Sequence, residues 1–135
     1  MMQTSHYTSG ALVGKFMPNP ILAFLAGIII HLIIDKIPHW WPETKQEKSK
    51  ATYIDYLISA VILFIFVYFS KGNLTNLLWG VGGSAIIDIL LVGVPFLYKS
   101  KVGRWHTGRQ IHSHNIKYLW RDVVVTAVFL VLVLI

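Results

Sequence analysis

Two residue types that bind metals and move protons recur in this chain at helical spacing. His31, Asp35 and His39 stand four and four apart, and on an α-helix each such step advances only about 40°, which stacks the side chains on one face. At that spacing imidazole nitrogen and carboxylate oxygen can share a metal ion or a proton. Pro38 disfavours helical geometry just before His39, so His31 with Asp35 is the pair the helix itself delivers. A second carboxylate, Asp88, lies within Ile86-Ile87-Asp88-Ile89-Leu90, where an unpaired charge costs about 2.5–3.5 kcal/mol on insertion scales and therefore needs a partner. The segment from Trp105 to Asn115 adds His106, His112 and His114, and His6 stands near the start. The chain has no cysteine, so any metal must be held by nitrogen and oxygen. Neutral imidazoles with one or two carboxylates suit a divalent transition metal: zinc first, with manganese or iron fitting the same donors.

The elements that must position these residues are apolar. Of the 135 residues, 55% are hydrophobic and 13% charged, outside the mix of a soluble globular chain. The expected fold class is all-α: one transmembrane domain over 1–135, a polytopic membrane helical bundle of about four transmembrane helices plus a short N-terminal helix. The spans are expected near 20–36, 53–70, 74–97 and 118–135, with polar loops over 37–52 and 98–117. A tight turn at Lys71-Gly72-Asn73 predicts that the second and third spans are antiparallel neighbours. From His6 to Lys15 the sequence supports a short helix, which Pro18-Asn19-Pro20 interrupts, so that Gly10 and Gly14 on one face pack against the span that follows. Gly80, Gly82, Gly83 and Ser84 read as close helix packing rather than a phosphate loop, since no strand or phosphate-binding lysine accompanies them. Asp55 and Asp122 are expected to open helices and complement their dipoles, with no chemistry of their own.

Threading this order through a bilayer puts Lys36, Lys45, Lys48, Lys50, Lys99, Lys101, Arg104, Arg109, Lys117 and Arg121 on one side and leaves Lys15 and Lys71 on the other. By the positive-inside rule that face is cytoplasmic, with the N-terminus returning to it, and the expected location is a multi-pass protein of the cell (inner) membrane. Trp40, Trp41, Trp105 and Trp120 fall near the same face, as an aromatic belt would. The net charge of +6 reads as topology and anionic-lipid contact; nucleic acid is not an expected partner. Met1 to Gly10 has neither Lys or Arg nor an apolar run, so no cleavable signal peptide is expected. The bare end after Ile135 fits a natural terminus and a truncation equally.

The stretch His31-Leu32-Ile33-Ile34-Asp35-Lys36-Ile37-Pro38-His39-Trp40-Trp41-Pro42 resembles the H-x-x-x-D segment, followed by proline and tryptophan, of bacterial membrane-bound metal-dependent hydrolases. His6 with Gly10 and Gly14 is similar to the early part of that family, and His106 to Ser113 carries a weaker echo of its histidine segment. The family looks like membrane-embedded relatives of zinc-dependent phospholipase C. The chain departs from its pattern in having no P-D-x-D segment and in placing the histidine segment after the H-x-x-x-D helix. The resemblance implies a metal held by His31 and Asp35, with His6 and His112 as further ligands. Asp88 is then expected as ligand or general base, and His39, His106 or His114 as the group that protonates the leaving group. Arg104 and Arg109 suit phosphate oxygens, besides their part in topology. The expected function is hydrolysis of a phosphoester of a lipid or similar amphiphile at the cytoplasmic bilayer surface. The alternatives are a metal-binding or metal-transporting membrane protein, which would need to form a homo-oligomer, a haem protein using bundle histidines, and a structural scaffold.

Overall fold

The computed structural model describes residues 3–42, 44–69, 73–108 and 110–135. It is built almost wholly of helix: α1 (Gln3–Lys15), α2 (Pro20–Ile34), α3 (Lys45–Phe69), α4 (Leu74–Gly93), α5 (Pro95–Lys99), α6 (Lys101–Thr107) and α7 (Lys117–Leu134). Two short strands, β1 (His39–Trp40) and β2 (His112–Ser113), pair in parallel, His39 opposite His112 and Trp40 opposite Ser113. The all-α expectation holds, with this two-residue ladder as an addition.

The helix limits follow local chemistry. Asn19 caps α2 by accepting from the Leu22 N–H at 2.9 Å, and Pro20 occupies the first turn, where its missing N–H costs nothing. Asn73 caps α4 in the same way, at 3.2 Å from the Asn76 nitrogen. The beginning of α3 is earlier than expected. Residues 45–52 fall in the region read as a solvated loop, but Thr44 and Glu47 form a reciprocal capping box, at 3.2 Å and 3.3 Å, that starts the helix at Lys45. The span expected over 74–97 stops at Gly93, because Pro95 holds Val94 in an extended conformation, and α5 and α6 occupy part of what was expected as the second loop.

Two helices, over 46–69 and 74–91, are long and apolar enough to cross a membrane, not the four or so expected. The other two expected spans fall short for identifiable reasons. The apolar α2 has 15 residues, and α7, with 18, spends its first turns on Lys117, Arg121 and Asp122.

The centre of the structure is α1, the most polar of the long helices. It packs against α2, α3, α4 and α7 and buries Thr4, Ser5, His6, Thr8 and Ser9. Their hydroxyls are satisfied locally: Thr8 donates to the Thr4 carbonyl at 3.0 Å, Ser9 to the His6 carbonyl at 3.0 Å, and Ser5 meets Thr126 of α7 at 2.8 Å. Asp55 does not open a helix. From the middle of α3 it accepts the Gln3 N–H at 2.5 Å, the Thr4 N–H at 3.2 Å and the Thr4 hydroxyl, and so caps α1 from outside. Asp122 likewise lies inside α7, buried, with the Trp40 N–H 3.4 Å from one oxygen.

Gly10 and Gly14 do serve close packing, but mainly against α4. A Cβ on Gly10 would strike Ser84 and the Gly80 carbonyl, one on Gly14 would meet the Asn76 carbonyl at 2.5 Å, and one on Gly27 of α2 would strike Gly80 as well. Gly83 is closed in by the Phe24 backbone, whereas Gly82 faces open space and takes no part. Among the described residues α3 and α4 do not pack extensively on one another; α1 packs on both, and side chains of α3 and α4 meet in one apolar cluster. Of the turn expected at Lys71-Gly72-Asn73, residues 71 and 72 lie outside the described residues. An apolar cluster of Ala11, Ile62, Phe66, Leu77, Val81 and Val133 fills the lower half of this arrangement. The polar half lies toward the ladder.

Candidate metal centre

Four separate helical segments each send a titratable side chain to one point. From α1 comes His6, which the Asp55 cap holds in place by fixing that helix's first turn. His31 comes from the last turn of α2, and Asp35 follows as its C-cap in near-helical geometry, which preserves the four-residue stacking read from sequence. The carboxylate Asp88 comes from α4. His106 comes from α6, a seven-residue helix begun by Ser100, whose hydroxyl accepts the Gly103 N–H at 3.2 Å.

Asp35 is the hub. Its Oδ1 lies 3.4 Å from His6 Nε2, and its Oδ2 lies 3.2 Å from His31 Nε2 and 3.5 Å from His106 Nδ1. Asp88 Oδ1 closes the other side, 3.2 Å from His106 Nε2 and 3.8 Å from His31 Nε2. The rings are layered, with centroids 4.2 Å apart for His6 and His31 and 5.3 Å apart for His31 and His106. His6, His31, Asp35 and His106 are buried; the Asp88 side chain keeps 20% of its surface open.

Of these contacts the one between His106 Nε2 and Asp88 Oδ1 is a hydrogen bond, and Gln110 Nε2 stands 3.2 Å from the same ring nitrogen; the others are close but not aimed as hydrogen bonds. Both ring nitrogens of His6 and of His31, both oxygens of Asp35 and Nδ1 of His106 are buried without a hydrogen-bond partner. Each orphaned polar group costs about 1–3 kcal/mol, so a cluster of this kind needs something to satisfy it jointly. A cation fits. Ligand atoms around a tetrahedral zinc at about 2.0–2.1 Å stand roughly 3.3 Å apart, close to the 3.2–3.5 Å separations around Asp35. Two overlapping triads, His6 with His31 and Asp88, and His31 with Asp35 and His106, each bring one donor atom per residue within 4.8 Å of the others. This buried group could hold a metal ion.

The remaining candidates are placed elsewhere. His112, expected as a ligand, is tied to His39 by the ladder and stacks on Trp41 at 5.2 Å. His106, read from sequence only as a proton donor, stands in the cluster instead, because α6 turns it inward before the chain reaches the ladder. His39 is fully buried; its Nδ1 lies 3.2 Å from the Ile37 carbonyl, so this nitrogen carries the proton and Nε2 is bare. Burial lowers the His39 pKa to about 3. An imidazole held neutral in this way has no proton on Nε2 to give to a leaving group, the role expected of it. His114 is exposed, its Nδ1 2.7 Å from the Trp41 carbonyl. Arg104 is exposed and donates to the Lys99 carbonyl at 2.9 Å; Arg109 lies outside the described residues.

Beside the cluster opens a cavity of about 510 Å³, within the size range of small-molecule sites. Asp88 and His106 form one part of its wall, His39 and His112 another, with Trp40 and Trp41 between. The cluster therefore has one side that a ligand can reach, and that side is where the partly open Asp88 stands. No family model, curated protein or solved structure matches the chain.

Proposed function

We propose that the protein is a membrane-bound, metal-dependent hydrolase that acts on a phosphoester of a lipid or similar amphiphile. The observation that carries the reading is the cluster of His6, His31, Asp35, Asp88 and His106, in which both ring nitrogens of His6 and His31, both Asp35 oxygens and Nδ1 of His106 lack a hydrogen-bond partner, beside a cavity that reaches Asp88 and His106. His6, His31, Asp35 and His106 would hold the ion. Zinc suits these donors best, with manganese or iron also compatible. A divalent ion held there supplies Lewis acidity toward a phosphoryl oxygen and acidifies a water molecule. Asp88, at the cavity edge, would take the proton of an attacking water or serve as a fifth ligand. The sequence resemblance to bacterial membrane-bound metal-dependent hydrolases, through His31, Asp35 and His6, supports the same assignment.

The membrane part of the reading rests on the two long apolar helices and on their outward side chains: Ile54, Leu57, Val61, Phe64 and Val67 of α3 are all exposed. The same reading has α2 and α7 embedded beside them, and the basic helix ends around the ladder on the cytoplasmic face of the cell membrane.

A second reading, a metal-binding or metal-transporting membrane protein without hydrolysis, is favoured by the number of donors, since three imidazoles and two carboxylates can saturate a four- or five-coordinate ion. Metal analysis of detergent-purified protein, followed by assay of phosphate or head-group release from phospholipid vesicles, separates the two. The expected result is about one equivalent of metal per chain in wild type, none in Asp35→Ala with insertion intact, and hydrolysis only in the loaded wild type. Metal without hydrolysis, together with metal flux across vesicles, would establish the second reading. No metal in wild type after reconstitution with zinc and manganese would sink both and leave a scaffold.

A further inference from the structure

The cavity beside the cluster has a wall that is missing a neighbour. On one side α3 contributes Lys48, Thr52 and Tyr56; on the other α5 and α6 contribute Tyr98, His106 and Thr107. Yet α3 packs substantially only against α1, with a slight contact to α7, and makes no such packing with α4, α5 or α6 among the described residues. The gap between α3 and α5 is therefore a slot that opens sideways. Tyr56 and Tyr98, one from each side, line it and are 46% and 55% exposed.

The height of the slot on α3 identifies what passes through it. Within the helix over 46–69 that is long and apolar enough to cross a membrane, the first two turns carry Glu47, Lys48 and Lys50, and from Tyr53 onward the residues are apolar apart from Asp55 and Ser59. The cavity residues of α3, from Lys48 to Tyr56, straddle that boundary, which is the level of lipid headgroups, where amphipathic tyrosines also concentrate. Lys48 is half-buried, while its neighbours Gln46 and Lys50 are exposed. Among the described residues it is the cation of the cavity wall, and His39 and His112, which also line the cavity, stay neutral, since burial lowers both pKa values. Of the two carboxylates, Asp55 is occupied by the first turn of α1, and Asp88 belongs to the cluster.

We propose that the gap between α3 and the α5–α6 segment is a lateral access slot through which a membrane lipid with an anionic phosphate head reaches the cluster, its head received by Lys48 and its acyl chains remaining in the bilayer. This rests on the hydrolase reading for what happens to the head but not for its binding. A cavity of about 510 Å³ holds a headgroup and the adjoining backbone, whereas the acyl chains need not leave the membrane. Lys48, as a point charge on a flexible stem, recognises phosphate without demanding one orientation. It is thus a specificity residue for the charge of the head.

The test is photolabelling of the full chain in phosphatidylcholine vesicles containing a phosphatidic acid that carries a diazirine near the start of one acyl chain, with adducts mapped by mass spectrometry. Adducts at Tyr56 and Tyr98 should exceed several-fold those at Ile29, an outward residue of α2 that reports general lipid contact. Lys48→Gln should cut the slot labelling several-fold and leave Ile29 unchanged, Lys48→Arg should restore it, and a diazirine phosphatidylcholine should label the slot weakly in all three proteins. Equal labelling of slot and Ile29, or labelling in Lys48→Gln equal to wild type, would overturn the proposal. Because the readout needs neither metal nor turnover, slot labelling in a protein that binds no metal would preserve the access route while the hydrolase reading fails, and the converse result would do the reverse.

Discussion

The two histidine groups of this protein reach the same cavity, one through His106 and the other through His39 and His112, and contain the same side chain, yet their surroundings differ in kind. In the helical cluster, His6, His31 and His106 come from three helices, face two carboxylates, and leave most of their ring nitrogens without a hydrogen bond. In the ladder group, His39, His112 and His114 come from two strands and their flanks, and two of them are anchored through Nδ1 to backbone carbonyls, Ile37 for His39 and Trp41 for His114. His112 instead stacks on Trp41. The first environment could hold a shared cation, since oxygen and nitrogen lone pairs are packed against one another. The second is satisfied largely by backbone and aromatic faces. Partner type, rather than histidine content, separates a candidate metal centre from a cavity wall.

The sharpest way to break that comparison is to exchange the roles by substitution. His106→Gln removes a cluster donor and should weaken zinc binding at least tenfold, as losing even an outer partner of a metal site costs about 10–100-fold. His112→Gln, in the ladder, should leave zinc affinity within twofold of wild type. Isothermal titration of the metal-free proteins in detergent reads both. If His112→Gln loses the metal and His106→Gln keeps it, the assignment of the two groups is inverted.

A second distinction is pH. His39 has its pKa lowered from 6.5 to about 3, chiefly by burial and only partly offset by its bond to the Ile37 carbonyl. The unfolded chain therefore binds a proton here that the folded chain refuses. The stability contributed by a neutral His39 is complete above about pH 6.5 and is lost progressively as pH falls toward 3. Other ionisable groups lie near His39, so the measurement is a difference: thermal unfolding of wild type against His39→Gln from pH 7 to pH 4. The wild type should lose more of its melting temperature on acidification than the variant. Parallel curves would show that His39 is not held neutral by the fold.

How much of this was legible in the sequence depends on the range of the interaction. The His31 and Asp35 pair was legible because a helix fixes its geometry locally. That Asp88 needs a partner was legible from the cost of a bare charge in an apolar run, but which partner was not, since His106 arrives from a helix seven residues long whose direction is set by Ser100 and by the backbone approach at Gly103. The early start of α3 had a local signal, Thr44 with Glu47, that the polarity of the surrounding residues obscured. The central position of α1 had no local signal at all. Its buried hydroxyls and Gly10 are explained only by what α4 and α7 present to them, and an amphipathic pattern cannot be read from a helix that is surrounded on several sides.

The smallest effect lies at the edge of the ladder group. His114 is exposed and contributes one hydrogen bond, from its ring to the Trp41 carbonyl at 2.7 Å. A solvent-exposed bond of this kind is worth about 0.5 kcal/mol, the low end for a net hydrogen bond. His114→Ala should therefore lower stability by about that amount, leave metal content unchanged, and loosen only the neighbouring backbone. Hydrogen exchange at the Trp41 amide, which donates to the Ser113 carbonyl at 2.9 Å, reads that loosening directly. Faster exchange at Trp41 with unaltered protection in α2 and α4 would place His114 with the ladder. A loss of metal or of helix protection would instead mean that the ladder and the cluster form one mechanical unit, and the separation between the two histidine groups would have to be abandoned.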